Sequence, residues 1–185
     1  MTMSNQLTPG MTLSLDGKVY RVESCVKVAA TKGVPFVKTK LKDLMSEDVI
    51  EKNFKLNQPI QDAALTERRL EYLYIEGKNY LFLDVGNLEQ VLVPAQIIGN
   101  KLNYLKEGIE LKAMFYGESI FSVELPQFLE LVVVKTEPGQ SAAHVANATK
   151  IAILETGARV DVPMFIESGD VIKVDTQTNE FVQRV

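Results

Sequence analysis

Hydrophobic and polar residues alternate in short runs along most of the chain, and helical spacing is scarce. In "PFVKTKLK" (35–42), Val37, Thr39 and Leu41 alternate with Lys38, Lys40 and Lys42. That period-two pattern predicts a half-buried strand with its lysines outward. "VIEKNFK" (49–55) alternates in the same way. Asp16-Gly17 stands between "MTLSL" and "VYRVES", the two-residue spacing of a tight hairpin turn. A second group of strands begins at Leu70 with "LEYLYI", a turn at Glu76-Gly77-Lys78-Asn79 and "YLFLD"; "IELKAMFYG" and "SIFSVEL" then pair about Gly117-Glu118. A third group opens with "FLELVVVKT" and resumes at "KIAIL", "RVDVP", "VIKVDT" and "FVQRV". Between its halves, Glu137 to Thr149 ("EPGQSAAHVANAT") is rich in small and polar residues and predicts a long surface loop. Only "PAQIIGN" and "KLNYLKEG" read as single turns or short helices.

These runs predict an all-β chain in strand-rich units of about sixty residues, bounded near 65 and 127: residues 1–65, 66–127 and 128–185. Five or six short strands per unit, with turns at regular intervals, suit small barrels rather than open sheets. Cores of that size are modest, so burial between neighbouring units is expected to matter. A chain of 185 residues that is 46% hydrophobic and 24% charged is incompatible with wholesale disorder. The longest aliphatic run, Leu131 to Val134, is far too short to cross a bilayer, so no membrane partner is expected. "MTMSNQLTPG" has neither the basic start nor the apolar core of a signal peptide. Cys25, the only cysteine, forms no internal disulfide, and a cytoplasmic location follows as the expectation.

Charge changes the picture. The net charge is −4, which does not suggest nucleic acid. Its distribution does: residues 1–65 carry nine Lys and Arg against seven Asp and Glu. Residues 66–127 carry six against nine, and residues 128–185 five against eight. "KVAATKGVPFVKTKLK", Lys27 to Lys42, gathers five lysines, with no carboxylate between Glu23 and Asp43. One reading is a pair of strand edges whose lysines face water. The other is a hairpin that presents a lysine to a phosphate-rich partner.

No catalytic constellation accompanies the strands. His144 is the only histidine and lies in the small-residue loop, a poor setting for a general base. Cys25 reads as a small buried hydrophobe rather than a nucleophile. Asp170 and Asp175 flank an apolar strand, where carboxylates are routine. There is no phosphate-binding glycine loop, no zinc ligand set and no paired histidine, so no cofactor, no metal and no enzymatic activity are expected.

The segment "KIAILETGARVDVPMFIESG" (150–169) resembles the C-terminal signature of bacterial translation elongation factor P. Lys150, Ala152, Gly157, Val160, Val162, Pro163, Ile166 and Gly169 occupy its fixed places. "DVIKVDTQTNEFVQR" resembles that family's closing hairpin, with Gln177 and Asn179 where Arg and Gly are common. Asn tolerates a left-handed turn, so the hairpin is expected to persist. "EKNFK" (51–55), "RRLEYLYIEG" (68–77) and "FSVELPQFLELVVVKTEPG" (121–139) resemble family stretches in the same order. The likeness runs from about Leu13 to Arg184.

The resemblance implies three barrels in an L: an SH3-like (KOW-like) N-terminal barrel and two OB-fold barrels. It implies a monomeric protein that binds the ribosome beside peptidyl-site tRNA and promotes peptide-bond formation, notably at consecutive prolines. By the same likeness the working residue is Lys32, followed by Gly33. Lys27, Lys38, Lys40 and Lys42 become supporting phosphate contacts that position without reading sequence. Lys32 is also the candidate for covalent extension, which adds a lysine-modifying enzyme to the implied partners. Two tips depart from the family. Where Lys-Pro-Gly-Lys-Gly is usual, this chain has Ala29-Ala30-Thr31-Lys32-Gly33, with Pro35 and Phe36 following. Where Gly-Asp-Thr is usual in the long loop, it has Ala142, Ala143 and His144, then Val145 to Thr149. Divergence confined to both tips also fits a paralogue that binds RNA or the ribosome as a regulatory module without relieving proline stalls.

Overall fold

The computed structural model describes residues 1–29, 31–138 and 148–185. Residues 139–147 of the predicted long loop, with His144, and Ala30 of the lysine hairpin lie outside the described residues. Strands dominate, arranged in three antiparallel sheets, and the protein is an all-β chain of small barrels. The backbone divides into two compact units, one of Met1–Glu67 with Ala113–Ser122, the other of Arg68–Lys112 with Val123–Val185.

The first sheet holds β1 (Thr2–Met3), β2 (Thr12–Leu15), β3 (Lys18–Val28), β4 (Phe36–Asp43), β5 (Val49–Lys55) and β6 (Pro59–Asp62), in the order β1-β6-β2-β3-β4-β5. Asp16 and Gly17 have φ of 50° and 79°, both left-handed, as a two-residue hairpin requires. The turn locks β2 to β3 from Leu15↔Lys18 to Thr12↔Arg21. Leu7, Leu13, Tyr20, Val22, Leu41, Phe54 and Ile60 form the buried core beneath. Each large side chain buried there stabilises the unit by about 1.5–3 kcal/mol. Cys25 is half-buried against this core and donates its thiol proton to the Leu7 carbonyl at 3.1 Å, in keeping with a packing role.

The second sheet contains β7 (Thr66–Glu76), β8 (Asn79–Asp84), β9 (Gln90–Pro94), β10 (Glu110–Tyr116) and β11 (Ser119–Glu124), in the order β11-β10-β7-β8-β9. Of the two short helices expected, the first forms as α1 (Ala95–Ile98), and the second is a 3₁₀ turn over Gly99–Tyr104 that starts before and ends short of "KLNYLKEG"; a further 3₁₀ turn, Ser4–Gln6, was not expected. The third sheet contains β12 (Phe128–Glu137), β13 (Thr149–Leu154), β14 (Arg159–Pro163), β15 (Val171–Asp175) and β16 (Glu180–Arg184), ordered β14-β13-β12-β15-β16. Asn179 has φ of 62°, the left-handed conformation expected of it in the closing hairpin. Its side chain does more than tolerate the turn: Asn179 Oδ1 accepts a hydrogen bond from the buried Tyr104 hydroxyl.

Three strands were not expected from the pattern: β1, β6 and β9. Each is short and polar or proline-bounded, so local periodicity carries no signal. β1 and β6 owe their existence to pairing with each other across about sixty residues of chain, Thr2↔Ile60 and Met3↔Pro59.

Candidate functional site

The lysine segment folds as β3, a connection over residues 29–35, and β4. Pairing runs from Tyr20↔Asp43 to Val28↔Phe36, with one irregularity between Val22 and Ser24. Within β4, Val37, Thr39 and Leu41 are buried and Lys38 and Lys40 exposed, so the alternation read from the sequence sets the strand's orientation. β5 closes the other side with Phe36↔Lys55, Lys38↔Asn53, Lys40↔Glu51 and Lys42↔Val49. Thr39, fully buried, donates its hydroxyl to the Lys52 carbonyl at 2.7 Å, which fixes that register from inside.

Lys32 sits at the bend of the connection, exposed, and forms no ion pair among the described residues. Gly33 has φ of 126°, a backbone conformation that side chains with a Cβ rarely adopt. The absent side chain lets the chain turn immediately after the lysine. Val34 and Pro35 are exposed as well, Val34 at 76% of its surface. The apex therefore offers one cation on a bare, sharply turned loop.

The other predicted contacts divide between two faces. Directly opposed residues of an antiparallel pair share a face. Lys38, Lys40 and Lys42 point outward; Lys38 lies 3.6 Å from Glu51 and Lys42 3.8 Å from Glu47. Lys27 is opposite the buried Val37, so it belongs to the core-side face and stays exposed because the sheet ends there. Lys27 and Lys38 are thus near in sequence yet on opposite sides of the sheet. Two cations absent from the sequence reading join the outer face. Arg21 is opposite Lys42, and Lys55 is opposite Phe36. Both are exposed, and only strand register could have brought them in.

At the far end of β4 a buried carboxylate organises the next turn. Asp43 Oδ1 accepts from the Met45 and Ser46 N–H groups at 2.8 and 3.3 Å, and Lys18 Nζ lies 3.4 Å from Oδ2. Burial pushes the Asp43 carboxyl upward, but those amide bonds and Lys18 outweigh it, holding the group below its ordinary value. The described residues contain no cluster of three or more His, Cys, Asp or Glu that could hold a metal.

Comparison with known proteins gives this geometry a lineage. Three family models match: "Elongation factor P (EF-P) KOW-like domain" over residues 3–58, "Elongation factor P (EF-P) OB domain" over 65–123 and "Elongation factor P, C-terminal" over 129–184. Elongation factor P 1 of Protochlamydia amoebophila is 66% identical over 185 residues, covering all of both chains. Elongation factor P 1 of Chlamydia pneumoniae is 48% identical over 186 residues, again covering both chains in full. Elongation factor P of Prochlorococcus marinus (strain MIT 9215) is 40% identical over all of this chain. Among solved structures, eukaryotic translation initiation factor 5A from Methanococcus jannaschii superposes with a TM-score of 0.54 at 16% identity, covering 66% of this chain and 94% of that one. At that identity the likeness concerns the fold alone.

Fold and kinship define a translation factor assembled from small β-barrels. Within that class the chain belongs to the elongation factor P family and is a translation elongation factor.

Proposed function

We propose that the protein binds the ribosome next to peptidyl-site tRNA and stimulates peptide-bond formation by positioning the tRNA acceptor end, including at consecutive prolines. The observation that carries this reading is the exposed Lys32 on the β3–β4 connection, without an ion pair among the described residues and turned by Gly33. An unpaired ammonium attracts phosphates, and a loop without a Cβ beside it enters a crowded RNA surface. Holding one reactant lowers the entropy barrier to alignment, so the factor acts by positioning and supplies neither acid nor base. The division into residues 1–65, 66–127 and 128–185 belongs to this reading, and the spans of the three family models support it. A monomeric state, a cytoplasmic setting and a lysine-modifying enzyme that acts on Lys32 are further parts of this reading. No helix among the described residues is long and apolar enough to cross a membrane.

Reconstituted translation of a message with a proline run tests the proposal. Wild-type protein is expected to relieve the stall and Lys32→Ala to lose most of that relief at unchanged thermal stability. If the wild type relieves nothing yet binds ribosomes, the protein is a regulatory ribosome-binding module, as the altered tip sequence Ala29-Ala30-Thr31 would then explain. Intact mass of natively expressed protein separately decides the modification: a mass equal to that of the sequence rejects it.

A further inference from the structure

We infer that Tyr104 and Lys106, through Asn179 and Glu155, lock the second and third sheets into one body, and that these four are positioning residues for the factor. The inference rests on the reading above, in which the protein acts by holding, and it names what keeps part of the holder stiff.

The second compact unit, Arg68–Lys112 with Val123–Val185, contains most of the second sheet and all of the third. Only residues 125–127 join β11 to β12. Such a link keeps several soft dihedrals even with φ of Pro126 fixed, so alone it would pivot. It is stitched first to the β15–β16 hairpin. Thr176 donates its N–H to the Gln127 carbonyl at 2.8 Å and its hydroxyl to the Pro126 carbonyl at 2.7 Å. The residues that close the 3₁₀ turn and follow it then grip the third sheet twice. The buried Tyr104 hydroxyl donates to Asn179 Oδ1, in the turn after β15. Lys106 Nζ lies 2.9 Å from Glu155 Oε1, in the turn after β13. β13 and β15 flank β12, so the grips fall on either side of the strand that the link enters. One covalent attachment with a grip on each flank leaves no free axis of rotation.

The receiving groups are themselves fixed. Glu155 Oε1 also accepts from the Val132 N–H at 3.0 Å, and the Glu155 N–H donates to the Val132 carbonyl at 2.9 Å. Lys106 and the Val132 amide hold the Glu155 carboxyl below its ordinary value, so the pair is charged at neutral pH. This pair is partly exposed and therefore screened; the buried Tyr104 bond is the stronger grip. Asn179 has φ of 62°, which glycine would adopt at no steric cost but with no acceptor to offer. The asparagine side chain thus serves the lock.

Double electron–electron resonance on full-length protein tests the lock, with nitroxides at Gln90→Cys and Asp161→Cys, both exposed positions, in a Cys25→Ala background. The otherwise wild-type protein should give one narrow distance distribution. Loss of either bond is expected to raise the open share of the joint about fivefold. Asn179→Gly/Lys106→Met should therefore broaden the distribution, and Lys106→Met alone should broaden it less. Asn179→Asp keeps a left-handed backbone and an oxygen acceptor and should stay narrow. The same order should appear as a rising half-saturating concentration in the proline-run assay, because a slack body must be ordered on binding. A narrow distribution in the double variant would overturn the lock, as would a broad one without these changes or equal broadening by Asn179→Asp. Should the double variant not fold, Lys106→Met decides by the same criterion. Broadening with an unmoved half-saturating concentration would overturn the positioning role. If wild-type protein relieves the stall and the variants leave the distances unchanged, only this inference falls. If the distances behave as expected while wild-type protein relieves no stall, the lock stands and the peptide-bond reading falls.

Discussion

At the scale of single residues, two side chains show how position decides charge. Lys32 is exposed at a bend, whereas Asp43 is buried and held by two backbone amides and Lys18. Removing the Asp43 carboxylate leaves those amides without their acceptor, so Asp43→Ala is expected to lower stability by about 1–3 kcal/mol in denaturant unfolding. The pH dependence has a definite sign. Because the folded-state carboxyl titrates below its ordinary value, its contribution is complete above the unfolded-state value and is lost as pH falls through the folded one. Asp43→Asn should therefore trail the wild type at neutral pH, with the two unfolding curves converging in acid. Parallel curves would show that this carboxylate is not linked to folding.

At the scale of elements, hairpins with glycine turns were plain in the sequence because their determinants are adjacent. Asp16-Gly17 and Gly117-Glu118 each join neighbouring strands of one sheet. Edge strands were not plain, since β1 and β6 depend on distant partners. The closing hairpin lies between these cases. Asn179 announced a left-handed residue, but its bond with Tyr104, 75 positions away, was invisible. That bond makes a specific prediction. Asn179→Gly loses the acceptor but relaxes the backbone, whereas Asn179→Ala loses the acceptor and keeps the strain. The Ala variant should thus be the less stable of the two by about 1 kcal/mol, measured by thermal unfolding. The reverse order would mean that the backbone at this position bears no strain.

At the scale of the molecule, the run of five lysines correctly marked the N-terminal sheet, yet it misrepresented the arrangement of charge. Alternation sends Lys38, Lys40 and Lys42 outward, register sends Lys27 the other way, and register again adds Arg21 and Lys55. A linear sequence shows which residues are close along the chain, and only paired strands show which share a surface. Residues 66–185 carry an acidic surplus, so under the proposed function a phosphate-rich partner would be met by the N-terminal third.

The last paired rung, Val28↔Phe36, has one more consequence. Position 32 lies four residues from either post, so the backbone can carry it at most about 14 Å past that rung. Under the proposed function, that reach is part of what the factor would deliver. Adding Gly-Ser between Val34 and Pro35 keeps every lysine and both faces of the sheet but lengthens the connection. Thermal stability should then be unchanged while proline-stall relief drops towards that of Lys32→Ala. Full relief by the lengthened protein would show that the ammonium is needed only nearby, at no set distance.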